Sequence, residues 1–388
     1  MKKIVAVVLS AVLAIGALNL TACSAGQGGE IVIGNVQDLS GPTSVLGKAV
    51  TNGAQLAVEK INNNGGINGK KIKMITYDTK GDVKEAINAY NRLSGQDKAV
   101  VVAGPPVSNI GLALAPIANQ KKVPIVGSFI DPRVTVKEDG TAQPYMFLMQ
   151  PSSDQYSQIL ASYTLNKLGK KKIAMFYDQS NAFAVSLVKP FVDYVKKNGG
   201  QIVLETTYIA GDKDYKTQLS KIKESGAEVL YAPNYTQDNV LTVKQAKQVG
   251  LDLPIVGGLD YAAPFASMVN DPVAADNIYF ANNYSDTEPQ LKEVYDAYKA
   301  KYNEDPINKA YLGYDKILII AEAIKNSGKI DGPSIQSQLE KIKDLKCTTG
   351  VITISPKTHA PIGLSMVMYK VEKGQYKDMG RYVPAEQK

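Results

Sequence analysis

The chain has 388 residues, 44% hydrophobic and 21% charged, which is enough for two or three domains with a sizeable core. Composition excludes disorder and collagen, because apolar residues abound and the 32 glycines follow no three-residue period. The formal charge of +7 is nearly all Lys (the arginines are Arg92, Arg133 and Arg381) and is scattered among acids, so no nucleic-acid partner is expected.

Lys2 and Lys3 precede an apolar run over 4–18, too short to span a ~30 Å hydrocarbon core comfortably. Leu20, Thr21, Ala22 and Cys23 follow, and then a small, flexible stretch. That quartet resembles a bacterial lipobox. The resemblance implies a lipoprotein signal peptide over 1–22, lipidation at Cys23, a tether over 23–29, and an extracytoplasmic protein anchored by lipid to the bacterial cell membrane. An ordinary secretory leader with a coincidental Cys is the alternative. Cys347 is the one other cysteine, so acylation of Cys23 leaves no internal disulfide, and Cys347 reads as a packing residue.

Strand and helix patterns then alternate. A β-branched run over 31–36 precedes helical spacing at Ala54, Ala57, Val58 and Ile61, which the Asn- and Gly-rich stretch 62–69 stops. A strand over 71–77, a helix over 83–93, a strand over 99–103, a helix over 109–120 and a strand at 125–126 follow. After 145–149 the cycle restarts, with helices over 154–168, 183–198, 215–225 and 238–249. These alternate with strands over 172–177, 202–208, 228–232 and 254–256. Strands separated by helices of this length imply right-handed βαβ units and parallel sheets. Two series of ~120 residues fit two doubly wound lobes better than a single barrel, the fold-level rival. Beyond 278–280 the helices lengthen (288–302, 311–326, 334–342), and strand-like runs over 351–354 and 364–371 close the pattern.

A set of colinear motifs runs through this frame. Asp38, Leu39, Ser40, Gly41 and Pro42 follow the first strand, and Gly53 and Ala54 precede the 61–70 stretch. Tyr77 and Asp78 end the second strand, and Gly104, Pro105, Pro106, Val107 and Ser108 end the third. Ala310 to Asp315, the helix through Ala323 to Lys325, and Gly350 to Ile354 come late. From about 31 to 376 the set resembles the periplasmic binding protein type I family, in its leucine/isoleucine/valine-binding branch serving ABC importers. The resemblance implies two α/β lobes joined by three hinge crossings, lobe 1 being 30–148 with 283–360 and lobe 2 being 149–282 with 361–384. The ligand would lie between them and favour the closed form. Implied partners are a small-molecule ligand, namely a branched-chain or other hydrophobic amino acid, an ABC permease with its ATPase, and the membrane through the lipid. No cofactor and no metal is implied, and a monomer is expected.

An amino acid is a zwitterion and needs donors for its carboxylate and acceptors for its ammonium. Helix N-termini after parallel strands supply free N–H groups and about half a positive charge. By the resemblance, Ser108 would hold the carboxylate, although the same residue also reads as a plain helix cap. Ser128 stands where the family offers a backbone carbonyl, and Ile130 where it has a threonine, whose hydroxyl is missing here. Tyr235 aligns with a tyrosine closing over the ligand. Asp260 is the candidate acid for the ammonium, with the spacing off by one, so Leu259 competes for the slot. Leu46 and Ala182 stand where the family often has aromatics, with Phe183 beside Ala182 able to fill the space; these smaller walls suggest a roomier apolar pocket.

Enzyme signatures are missing. No Gly-x-Ser-x-Gly elbow, dinucleotide glycine motif or zinc spacing occurs, and His359 is the sole histidine. The stretch 65–71 misses a phosphate loop by its glycine spacing and by Lys71. The chain is therefore expected to be a binder and not an enzyme. The alternatives to import are a sensor on the same clamshell, or a binder of aromatic amino acids, amides or related small molecules.

Overall fold

The computed structural model describes residues 29–362 and 365–384; the expected leader, Cys23 and most of the tether lie outside them. The chain builds two α/β bodies with one open sheet each. In the first, strands β1 (Ile31–Gln37), β2 (Ile72–Asp78), β3 (Val101–Ala103), β4 (Ile125–Gly127) and β5 (Met146–Leu148) lie parallel in the order β2-β1-β3-β4-β5. Helices α1 (Ser44–Asn63), α2 (Val83–Gly95) and α3 (Ser108–Lys121) make the returns. Strands β3, β4 and β5 are buried along their whole length, as expected of short apolar runs covered on both faces.

The second body contains α4 (Ser153–Asn166), β6 (Lys172–Asp178), α5 (Ala182–Lys197), β7 (Gln201–Tyr208), α6 (Lys216–Glu224) and β8 (Val229–Tyr231). It continues with α7 (Thr236–Gln248), β9 (Ile255–Gly257), α8 (Phe265–Val269) and β10 (Ile278–Asn282). The chain then returns to the first body with α9 (Lys292–Tyr302), α10 (Asn308–Asn326) and α11 (Gly332–Leu339). A small antiparallel sheet follows there, of β11 (Leu345–Cys347), β12 (Gly350–Ile354) and β13 (Pro361–Ile362). Finally β14 (Met366–Glu372) and β15 (Gln375–Tyr382) complete the second sheet, ordered β15-β14-β10-β9-β8-β6-β7. The chain thus passes between the bodies three times, at 149–152, at 283–288 and between β13 and β14.

Two separate open sheets replace the barrel alternative. The second sheet is not wholly parallel: β14 runs antiparallel to β10 and to β15. Strand β15 escapes the sequence pattern because most of its side chains are exposed. Its turn, Lys373-Gly374, has positive φ at both residues (50° and 78°), which is the backbone of a two-residue type I′ hairpin.

Helix α10 is seated on α1 by glycines. A Cβ on Gly53 would stand 1.8 Å from the Ala310 carbonyl oxygen, and one on Gly313 would stand 2.1 Å from that of Val50. The two backbones therefore touch, and no larger residue fits at either position without moving α10. Asp315, buried in the same helix, accepts hydrogen bonds from the Thr348 and Thr349 amides at 2.7 Å each and so pins α10 to the β11–β12 loop. His359 is also held by packing: its ring stacks 4.2 Å from Phe147, and its nitrogens face the Met146 carbonyl and Glu340. Cys347 is a buried free thiol whose pKa burial raises further.

Candidate ligand-binding cleft

The carboxyl ends of β3 and β4 open onto the gap between the bodies, where open α/β sheets bind ligands. Val107, in an extended conformation, caps α3 without a side-chain bond, so Ser108 is the first helical residue and not the cap. The amides of Ser108, Asn109 and Ile110 donate no backbone hydrogen bond among the described residues, as helix geometry requires of a first turn. The Ser108 hydroxyl is fully buried and has no hydrogen-bond partner among the described residues. On the next turn the Ile130 amide is likewise free, while its carbonyl accepts from Ser153 at 2.8 Å. The Ser128 carbonyl is occupied by the Gln150 amide group. The Ser128 hydroxyl lies 3.4 Å from Lys316 Nζ, which donates to the Gly104 carbonyl at 2.6 Å. A buried lysine of α10 therefore stands directly behind both turns.

The second body supplies the opposite wall. Tyr235, extended at the head of α7, stacks its ring on Phe183 at 4.7 Å. Its hydroxyl, buried without a regular hydrogen bond, lies beside the Ser108 amide. Asp260 sits in a 3-10 turn just after β9 and is 4% exposed. One carboxylate oxygen accepts weakly from the Thr236 hydroxyl at 3.4 Å; the other has no partner among the described residues. The bodies touch at the rim, where Asn109 Oδ1 accepts from the Ala182 amide at 2.7 Å and Asn109 Nδ2 donates to the Ser180 carbonyl at 3.3 Å.

These walls line a narrow gap with about 370 Å³ of atom-free space, open solvent included. Leu46, Ser128, Ile130, Phe183, Tyr235 and Asp260 all line it, as does Pro106; Ser108, two residues further on, does not. Leu259 lines it as well, so both candidates for that slot stand at the cavity. Ala182 does not line it. Consecutive helical residues point about 100° apart, and the structure buries Phe183 while leaving Ala182 half-exposed at the interbody contact.

Electrostatics distinguish the charged groups. Burial pushes the Asp260 carboxyl up to about 6, against the pull of Lys309 and Thr236. Burial lowers the Lys309 ammonium, with Asp260 pulling the other way. It lowers Lys316 to about 7, assisted by the charge of Lys309. Burial and the Asp260 charge both raise the Tyr235 phenol.

Sequence reasoning missed Lys309, Tyr156 and Gln150, which line the cavity, and Lys316 behind it. Tyr156 donates to Asn283 Oδ1 at 2.5 Å, joining α4 to the second crossing. The available signal was on α10. Residues 309, 313, 316 and 320 form one helical face, and two lysines on a face that also carries Gly313 and Ile320 are out of place in a core.

Among the described residues no helix is long and apolar enough to cross a membrane, and no cluster suited to a metal ion occurs. The sequence pattern of the Periplasmic binding protein family matches residues 30–375. A Leu/Ile/Val-binding protein homolog of Brucella melitensis is 26% identical over 329 residues, 84% of this chain and 87% of that protein. The structure is similar to the branched-chain amino acid transporter substrate-binding protein LivJ of Streptococcus pneumoniae, solved with isoleucine. The TM-score is 0.83 at 31% identity, covering 91% of this chain and 99% of that one. It is equally similar to the leucine-binding protein LivK of Thermotoga maritima, with TM-score 0.83 at 25% identity, covering 92% and 99%. A family pattern that spans nearly the whole described chain, two α/β lobes on open, largely parallel sheets and three crossings agree: the chain belongs to the periplasmic binding proteins and has their type I fold.

Proposed function

We propose that this protein is the extracytoplasmic substrate-binding component of an ABC importer, capturing an amino acid between its two lobes and delivering it to a membrane permease. The observation that carries the reading is the pairing, across one cavity, of the Ser108 and Ile130 turns, whose amides make no backbone hydrogen bond, with the Asp260 carboxylate oxygen that has no partner among the described residues. The α-carboxylate fits the amides, where the dipole of α3 adds positive potential and Lys316, partly charged near neutral pH, adds to it. The α-ammonium fits Asp260, and the Tyr235–Phe183 stack covers the head group. The names of the relatives, which bind leucine, isoleucine or valine, support an amino acid as the ligand class. Closure follows from a ligand that touches both lobes, because only the closed form offers it both halves of the site. Lipid attachment at Cys23 would keep the protein beside its permease.

Small-angle scattering of the ligand-stripped protein, with and without a panel of L-amino acids, tests this. At least one amino acid is expected to reduce the radius of gyration and raise the melting temperature. No compaction with any of them would end the reading.

A further inference from the structure

One cavity group has no task in that scheme. Lys309 is 7% exposed, lines the cavity, and makes no hydrogen bond or ion pair among the described residues. It stands on α10 two turns before Lys316, on the same face and roughly 10 Å along the axis. Lys316 serves the carboxylate turns through Gly104 and Ser128 from behind the cavity, whereas Lys309 lines the cavity itself. The lining it shares is mixed: Leu46, Ile130 and Leu259 are apolar, while Ser128, Gln150, Tyr156, Tyr235 and Asp260 are polar, yet none of them bonds to Lys309 among the described residues. The one carboxylate whose charge acts on it is Asp260, and the proposed function assigns that acid to the ligand ammonium. A purely aliphatic side chain would leave the Lys309 cation desolvated and unpaired, which proteins avoid. Replacement of a buried polar partner by nothing is also how sites reject analogues most strongly.

We infer that Lys309 determines specificity by hydrogen-bonding an oxygen acceptor at the end of the ligand side chain, so that the site takes an amino acid with a carboxylate or carboxamide side chain in preference to an aliphatic one. The inference rests on the amino-acid reading of the site. The backbone contact between Gly53 and Ala310 fixes the start of α10 and holds Lys309 in place to act so.

Calorimetry on the ligand-stripped protein with L-leucine, L-glutamine and L-glutamate tests it. Wild type is expected to bind glutamine or glutamate at least tenfold more tightly than leucine, and the difference between those two reports whether the acceptor is charged. Lys309→Met is expected to lose at least tenfold for the preferred ligand and to gain for leucine. Should that variant melt below the assay temperature, Lys309→Gln keeps a donor, and it should retain glutamine better than glutamate. Wild-type preference for leucine overturns the inference. So does an equal loss for all three ligands in Lys309→Met, which would make Lys309 a head-group residue. If leucine is the preferred ligand and binds in an Asp260-dependent manner, the amino-acid reading stands and this inference alone falls; if no amino acid binds, both fall.

Discussion

Acidification separates the role of Asp260 from mere burial. In the empty cleft its carboxyl titrates at about 6. An ammonium placed against it favours the ionised form, so binding demands a deprotonated Asp260. At pH 7.5 nearly every empty molecule meets that demand. At pH 5 only about one in eleven does, so affinity should fall roughly tenfold between the two, with about 0.9 proton released per ligand bound at pH 5. The stability of the empty protein moves the other way. A folded-state value raised above the ordinary 3.8 means the folded chain holds this proton more tightly than the unfolded one. This group therefore makes the empty protein less stable as pH rises from about 4 to about 6, by roughly 3 kcal/mol in total. Glutamine and leucine suit the assay because their charges do not change over this range. Calorimetry in two buffers of different ionisation enthalpy reads affinity and proton release together. Asp260→Asn should flatten both and weaken binding at pH 7.5 by roughly 10- to 150-fold, the equivalent of a charge-assisted contact of about 1.5–3 kcal/mol. Constant affinity from pH 7.5 to 5 with no proton released would refute the ammonium contact.

Three further outcomes are expected. Gly53→Ala drives a methyl into the Ala310 carbonyl and should cost roughly 1–3 kcal/mol of stability, read as a lower urea midpoint; an unchanged midpoint would contradict the close helix contact. Asn109→Ala removes both rim hydrogen bonds between the bodies, each worth about 1 kcal/mol, and should weaken ligand binding roughly 5- to 30-fold while leaving the melting temperature of the empty protein near wild type. Cys23→Ala should release the protein from the membrane fraction, and continued membrane association would exclude lipid as the anchor.

Much of this architecture was legible because its strands are short apolar runs and its helices strictly periodic. Residues 31–36, 172–177 and 254–256 each land on a strand with at most small boundary changes. The turn after β3 was legible too, since Gly104 to Val107 can only be a strand-to-helix junction. Strand β15 was not, because an exposed edge strand carries little apolar alternation. The same limit applied within the cleft. Ser108, Ser128, Tyr235 and Asp260 follow parallel strands in sequence, so topology brings them together whatever their neighbours. Lys309 and Gln150 reach the cavity from a late helix and a crossing segment, and no local pattern relates either to the β3 and β4 turns. Periodicity could place Ala182 and Phe183 at the start of a helix, but only packing decided which of them turns inward.

The division of charges between the bodies explains how such a cleft can select its ligand. Lys309 and Lys316 belong to the first body, on a helix locked by Gly53, Gly313 and Asp315. Asp260 belongs to the second, on a short turn. The acid and the cation face each other only when the bodies meet, and in the empty cavity they attract without touching. Attraction across such a gap is weak compared with a direct contact, because it falls with distance and neither charge is relieved of its desolvation. A ligand carrying an ammonium and a separate oxygen acceptor replaces that one long interaction by two short ones. It thereby stabilises the closed arrangement by more than the empty protein can achieve alone. A leucine supplies only the first of these contacts and leaves the lysine stranded, so the discrimination comes from a group the wrong ligand fails to satisfy and needs no steric clash.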